Sequence, residues 1–139
     1  MRRIAACQAL LLAAALAACS GHHGGPSGEL AARADDAANS YPENYKADVL
    51  AMLRVYLNDP SHVREAGLSE PFLHPVGGRN RYAVCVRLSA RKSSGEYAAA
   101  REHVAYFLRG RLDQMVEANA KQCEEASYQP FPEAEKLTR

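Results

Sequence analysis

The first eighteen residues constrain the rest of the chain most, because they set the redox environment in which it folds. Arg2 and Arg3 are followed by fifteen uncharged residues, Ile4 to Ala18, rich in Ala and Leu and ending in Ala17-Ala18. A charged start, an apolar run and a small-residue end, in that order, make an export signal. The run is shorter than the roughly 20 residues a helix needs to cross a bilayer, which predicts removal rather than a membrane span. An exported chain folds where thiols oxidise, and small domains there rely on disulfides.

Leu16-Ala17-Ala18-Cys19 resembles the lipobox of bacterial lipoproteins. The resemblance implies a signal peptide over 1–18, a mature chain starting at a lipid-bearing Cys19, and a diacylglyceryl group with an added acyl chain such as palmitate. More than one acyl chain is what makes such an anchor stable. Ser20 rather than aspartate after the cysteine is similar to lipoproteins sorted to the outer membrane, facing the periplasm. The alternative is an ordinary secretory signal cut near Ala18. Of four cysteines, Cys7 leaves with the signal and Cys19 takes the lipid, so Cys85 and Cys123 are expected to pair. Closing that loop is worth about 4 kcal/mol in the chain-entropy description, a large share of the roughly 5–10 kcal/mol that holds a small domain folded.

The precursor carries 17 basic and 16 acidic residues, and losing 1–18 leaves 121 residues with 15 against 16, enough for one domain. That balance gives no general attraction to nucleic acid. Charge is nonetheless segregated: Arg79 to Arg111 is locally +6 and Asp113 to Glu135 locally −5, and the two segments can neutralise each other.

Residues 19–39 read as a lipidated flexible tether, opening Ser20-Gly21-His22-His23-Gly24-Gly25 with nothing to bury. Residues 40–139 read as a small domain. Ser40-Tyr41-Pro42-Glu43 fits a capping box with proline in the first turn. Tyr45, Val49, Met52, Leu53 and Tyr56 form the stripe of a helix over about 42 to 57, ended by Asn58-Asp59-Pro60. Val63 to Leu73 fits an edge strand or a loop with a helical turn, and Pro75-Val76-Gly77-Gly78 a turn. Tyr82, Val84, Val86 and Leu88 alternate as one face of a strand; Val104, Tyr106 and Leu108 mark a second. Arg109-Gly110 then reverses the chain into a short strand to about Val116, with a helical turn carrying Cys123; a helix over Leu112 to Ala126 is the alternative. The tail, Tyr128 to Pro132, is expected to be extended and to pack through Tyr128 and Phe131.

The sum is an α+β fold: one N-terminal amphipathic helix on a three- or four-stranded antiparallel meander, with one disulfide. Even-numbered residues around Val84 should face the helix, leaving Cys85 and its disulfide on the other side.

Asp59-Pro60, Tyr82-Ala83-Val84-Cys85-Val86-Arg87, Ser89-Ala90-Arg91 and Gly95-Glu96-Tyr97 are similar to a pattern in a family of small uncharacterised bacterial envelope proteins. The match runs from Leu57 to Gly110, with Ser89 where the pattern has asparagine and alanines after Tyr97 where glycine is usual. It implies an envelope location and this fold, and the family brings no established activity.

No catalytic constellation stands out. Cys85 and His103, on neighbouring strands with similar facing, would be the nucleophile and base of a small thiol enzyme, but Cys123 competes for the thiol. His22, His23, His62, His74 and His103 lack the spacing of a zinc site, so no metal or cofactor is expected. Arg79, Arg81, Arg87 and Arg91 share the parity of Cys85, and Arg101 on the next strand can join them as a face for carboxylates or phosphates; a solvated, aggregation-blocking face is the plainer possibility. The expected function is therefore non-catalytic: a lipid-anchored periplasmic protein binding an envelope protein, peptidoglycan or anionic lipid through its sheet face or tail. An inhibitor of an envelope enzyme, inserting Tyr128 to Pro132, is a further option.

Overall fold

From Tyr82 to Val86 the chain is continuously apolar, with Ala83 to Val86 buried on both faces, as a strand through the middle of a sheet must be, and the other strands are arranged around it. The computed structural model describes residues 39–138. The elements are α1 (Tyr45–Tyr56), β1 (Val63–Ser69), β2 (Phe72–Val76), β3 (Arg79–Ala90), β4 (Arg101–Leu108), β5 (Arg111–Glu117), β6 (Tyr128–Pro130) and α2 (Pro132–Glu135). All pairings are antiparallel, in the order β5-β4-β3-β1-β6, with β2 also on β3. β1 and β2 thus follow one another along the same edge of β3, interrupted at Glu70-Pro71.

This corrects the expected architecture. A three- or four-stranded meander under one N-terminal helix is replaced by a six-stranded antiparallel sheet with two short helices. α1 lies at Tyr45–Tyr56, and its N-cap is Asn44 with no side-chain cap bond. Ser40–Glu43 is therefore not the capping box of this helix, which begins after Asn44 and leaves the buried Pro42 ahead of its first turn. Residues 63–73, left open between strand and loop, contain β1 and the start of β2. Residues 112–126 open as strand β5, not as a helix. The signal peptide over 1–18, the lipid site Cys19 and the tether lie outside the described residues, Asn39 apart.

Two turns have the backbone that tight hairpins demand. Gly77 and Gly78 both have positive φ, 59° and 80°, between β2 and β3; this left-handed pair matches strand twist and suits residues without a Cβ. Arg109 and Gly110 repeat it between β4 and β5, with Arg109 at φ 54°.

The two faces of the sheet are as the parity of β3 requires. Val84, Val86 and Leu88 join Tyr45, Val49 and Leu53 of α1, with Ala105, Phe107, Met115, Phe131, Ala134 and Leu137. On the other face Ala83, Cys85, Val104, Tyr106 and Cys123 make a second cluster, sealed by the Cys85–Cys123 disulfide with Cα atoms 5.9 Å apart.

Long-range polar contacts close the places where the ladders break. Ser69 Oγ accepts the Cys85 N–H at 2.9 Å and donates to Glu70 C=O at 3.0 Å. It stands where the gap between β1 and β2 leaves β3 without a backbone acceptor. The bulge near Glu65 frees the Ala66 N–H, which donates to Glu135 Oε1 at 2.9 Å. Asp48 Oδ2 of α1 accepts the outward Leu112 N–H of β5 at 3.1 Å.

Candidate functional site

Sheet edges are the first surfaces to consider, since unpaired strand edges readily recruit extended segments. Here each is blunted. The two-residue turn after Val76 makes Val76, His74 and Phe72 the residues bonded to β3, so Leu73 and Pro75 point outward, and Pro75 has no N–H. On β6, Phe131 N–H donates to Ala66 C=O and Gln129 faces Leu68; Tyr128 and Pro130 point outward, and again the proline lacks a donor. On β5, Asp48 already holds the Leu112 N–H.

The arginines are separately engaged. Arg81 Nη1 bonds Asp113 Oδ2 at 3.2 Å and Arg101 Nη1 bonds Glu117 Oε1 at 2.6 Å. Arg91 Nε donates to Gly95 C=O at 2.9 Å, and the Arg87 guanidinium lies 5.0 Å from the Tyr128 ring centroid. Arg79 begins β3 at the far end, beside the Gly77-Gly78 turn. Register places Arg101 opposite Leu88 and Arg87 opposite Glu102, so Arg101 and Arg87 are on opposite faces. The basic segment is thus not gathered into one cradle. Arg81 and Arg101 reach the acidic segment instead.

Cys85 and His103 are not brought together. Cys85 is opposite Val104, while His103 is opposite Val86 and faces α1, its ring 5.3 Å from Tyr56 in an edge-on contact. The similar facing expected for the two is therefore corrected: they are one step out of phase in register, and the sulfur is bonded to Cys123. Burial pushes the His103 pKa below its ordinary value, with Arg101 adding to the effect against Glu117. Its Nδ1 is buried without a partner.

The Asp59–His62 loop gathers three polar side chains, Asp59, Ser61 and His62, whose spacing in sequence marked only a helix end and a lone histidine. Ser61 Oγ donates to Asp59 Oδ1 at 2.5 Å, and His62 Nδ1 lies 3.0 Å from both Asp59 Oδ2 and Ser61 Oγ. The Ser61 bond, helped by His62, holds the Asp59 carboxyl at about 2. Both partners address the same ring nitrogen, whereas a nucleophile-activating triad uses one nitrogen for the acid and the other for the hydroxyl. The cluster is a local turn clasp. Among the described residues no group of His, Cys, Asp and Glu could hold a metal ion.

The tail is likewise committed: Tyr128–Pro130 is a strand of the sheet and Phe131 is buried. Tyr128 donates its hydroxyl to Glu102 Oε1 at 2.8 Å, and its pKa is raised by burial and by that carboxylate. A segment held this way is not a free insertion loop.

Among the described residues a cleft of about 480 Å³ opens on the disulfide side. One wall is the β1–β2 junction and β2, from Ser69 to His74; the other is the loop after β5, including Lys121, Gln122, Glu124, Glu125 and Ala126. That loop is fixed to the sheet by the disulfide and by Gln122 Nε2, which donates to Tyr106 Oη at 2.7 Å. Its volume lies within the range of ligand sites. No signal local in sequence pointed to it, because its walls are some fifty residues apart. No protein-family model, curated protein or solved structure matches the chain.

Proposed function

We propose that this is a lipid-anchored protein of the bacterial envelope, held at the outer membrane through Cys19, which acts without catalysis by binding another envelope component in the cleft beside the disulfide loop. One observation carries the reading: one wall of the cleft is a loop that the Cys85–Cys123 bond and the Gln122–Tyr106 contact fasten to the sheet, so the cavity is held in place. A pre-formed cavity avoids the cost of ordering a loop on binding. The blunted edges and the internally engaged arginines favour it over the other surfaces.

The test is made in intact cells with the full chain. A photo-crosslinking residue at Ser127, in the cleft lining, should yield a discrete adduct in the membrane fraction. The same residue at Val55, exposed on α1, should not. Mass spectrometry should find a lipid-modified Cys19 at the N-terminus. A chain recovered from the cytosol, or equal labelling from both positions, refutes the proposal.

A further inference from the structure

The charge and surface of the cleft assign a class of ligand, an inference that rests on the cleft being the binding site. Glu70, Glu124 and Glu125 line it against one cation, Lys121. Glu124 and Glu125 are exposed in that lining. Glu70 uses Oε2 to accept the Tyr45 hydroxyl, at 3.0 Å. The aromatic side of the lining is Phe72 and His74, ring centroids 6.2 Å apart and edge-on, with His74 also 5.9 Å from Tyr106. Carboxylates above an aromatic surface suit an ammonium or guanidinium group, which gains charge-assisted hydrogen bonds from the first and a ring contact from the second.

Backbone geometry restricts how such a ligand enters. Pro75 removes one of the two outward donors of β2, which weakens pairing of a guest chain along that edge. Recognition then falls mainly to side chains. Ser127 and Gln129, exposed in the same lining, offer neutral polar groups that can orient the peptide without neutralising its charge. We infer that the cleft binds a lysine- or arginine-bearing extended segment of another envelope protein, with the basic side chain between Phe72 and the carboxylates of Glu124 and Glu125.

The experiment uses the full chain, oxidised and in detergent micelles, with a short fluorescent lysine-bearing peptide. Its glutamate counterpart, its norleucine analogue and a glucosamine oligomer are the comparison probes. The lysine peptide should bind best, and more weakly as salt rises. Removing both loop charges, Glu124→Gln with Glu125→Gln, should weaken it about tenfold, the sum expected of two exposed charge contacts. Lys121→Gln should strengthen binding, and Glu133→Gln, outside the cleft on α2, should leave it unchanged. Equal binding of lysine and norleucine peptides, indifference to the double substitution, or tighter binding of the glucosamine oligomer overturns the assignment. If Ser127 crosslinks a partner in cells while the lysine peptide fails to bind, the cation assignment falls and the binding site stands. If neither occurs, both fall.

Discussion

Ser69→Ala isolates one atom at the centre of this fold. Ser69 and Cys85 are both buried, and the serine hydroxyl is the acceptor for the Cys85 N–H. Alanine fits the same space but leaves that amide facing an apolar surface with no acceptor. A buried donor stranded in this way costs about 1–3 kcal/mol, so a loss of about 2 kcal/mol is expected. For a protein of this size the urea midpoint should fall by about 1–2 M at unchanged slope. The assay is equilibrium unfolding of the oxidised protein, with thiol titration confirming an intact disulfide. Native-state hydrogen exchange should show the Cys85 amide losing protection more than Val84 or Val86. Ser127→Ala, at an exposed position, should change stability by less than about 0.5 kcal/mol. A Ser69→Ala midpoint within error of wild type, with the Cys85 amide still slow, would refute the claim that this hydroxyl substitutes for a missing strand.

Three further outcomes are expected. His103 is held neutral by burial, facing Tyr56 from α1 and Glu117 from β5, beside Arg101. Its folded pKa is below the unfolded value of 6.5, so its effect is absent above that pH and stability falls as the pH drops below it, where the unfolded chain takes the proton first. Urea midpoints from pH 8 to pH 5 should fall in wild type and flatten in His103→Gln; parallel curves would contradict this. Arg109→Asn, at φ 54° before Gly110, should stabilise by roughly 0.5–1 kcal/mol because asparagine tolerates the left-handed conformation, read as a raised thermal midpoint. Pro130→Thr restores an outward N–H on β6 and should produce concentration-dependent association by light scattering; a variant as monodisperse as wild type would show that the proline does not guard this edge.

Only some of this organisation is local enough to be read along the chain. The period of two from Tyr82 to Leu88 determined which residues of β3 meet α1 and which carry the disulfide, because successive side chains of a strand must point to opposite faces. The spacing of Tyr45, Val49 and Leu53 determined the buried stripe of α1 for a similar reason. The Cys85–Cys123 pair followed from counting cysteines, two of the four being assigned to the expected signal and lipid site. Pairing between distant segments has no such signature. β2 is five residues with a proline, and it is a strand only because Arg79 to Ala83 lies beside it. β6 and α2 are held by β1, through Ala66 C=O to Phe131 and Glu135 to the Ala66 N–H, contacts spanning more than sixty residues. Cys85 and His103 shared apparent facing until register put Val104 opposite the cysteine, since a one-residue offset reverses every side chain. The cleft belongs to the same category. Its walls and its carboxylates exist in the sequence, but only the disulfide and the fold bring them to opposite sides of one cavity.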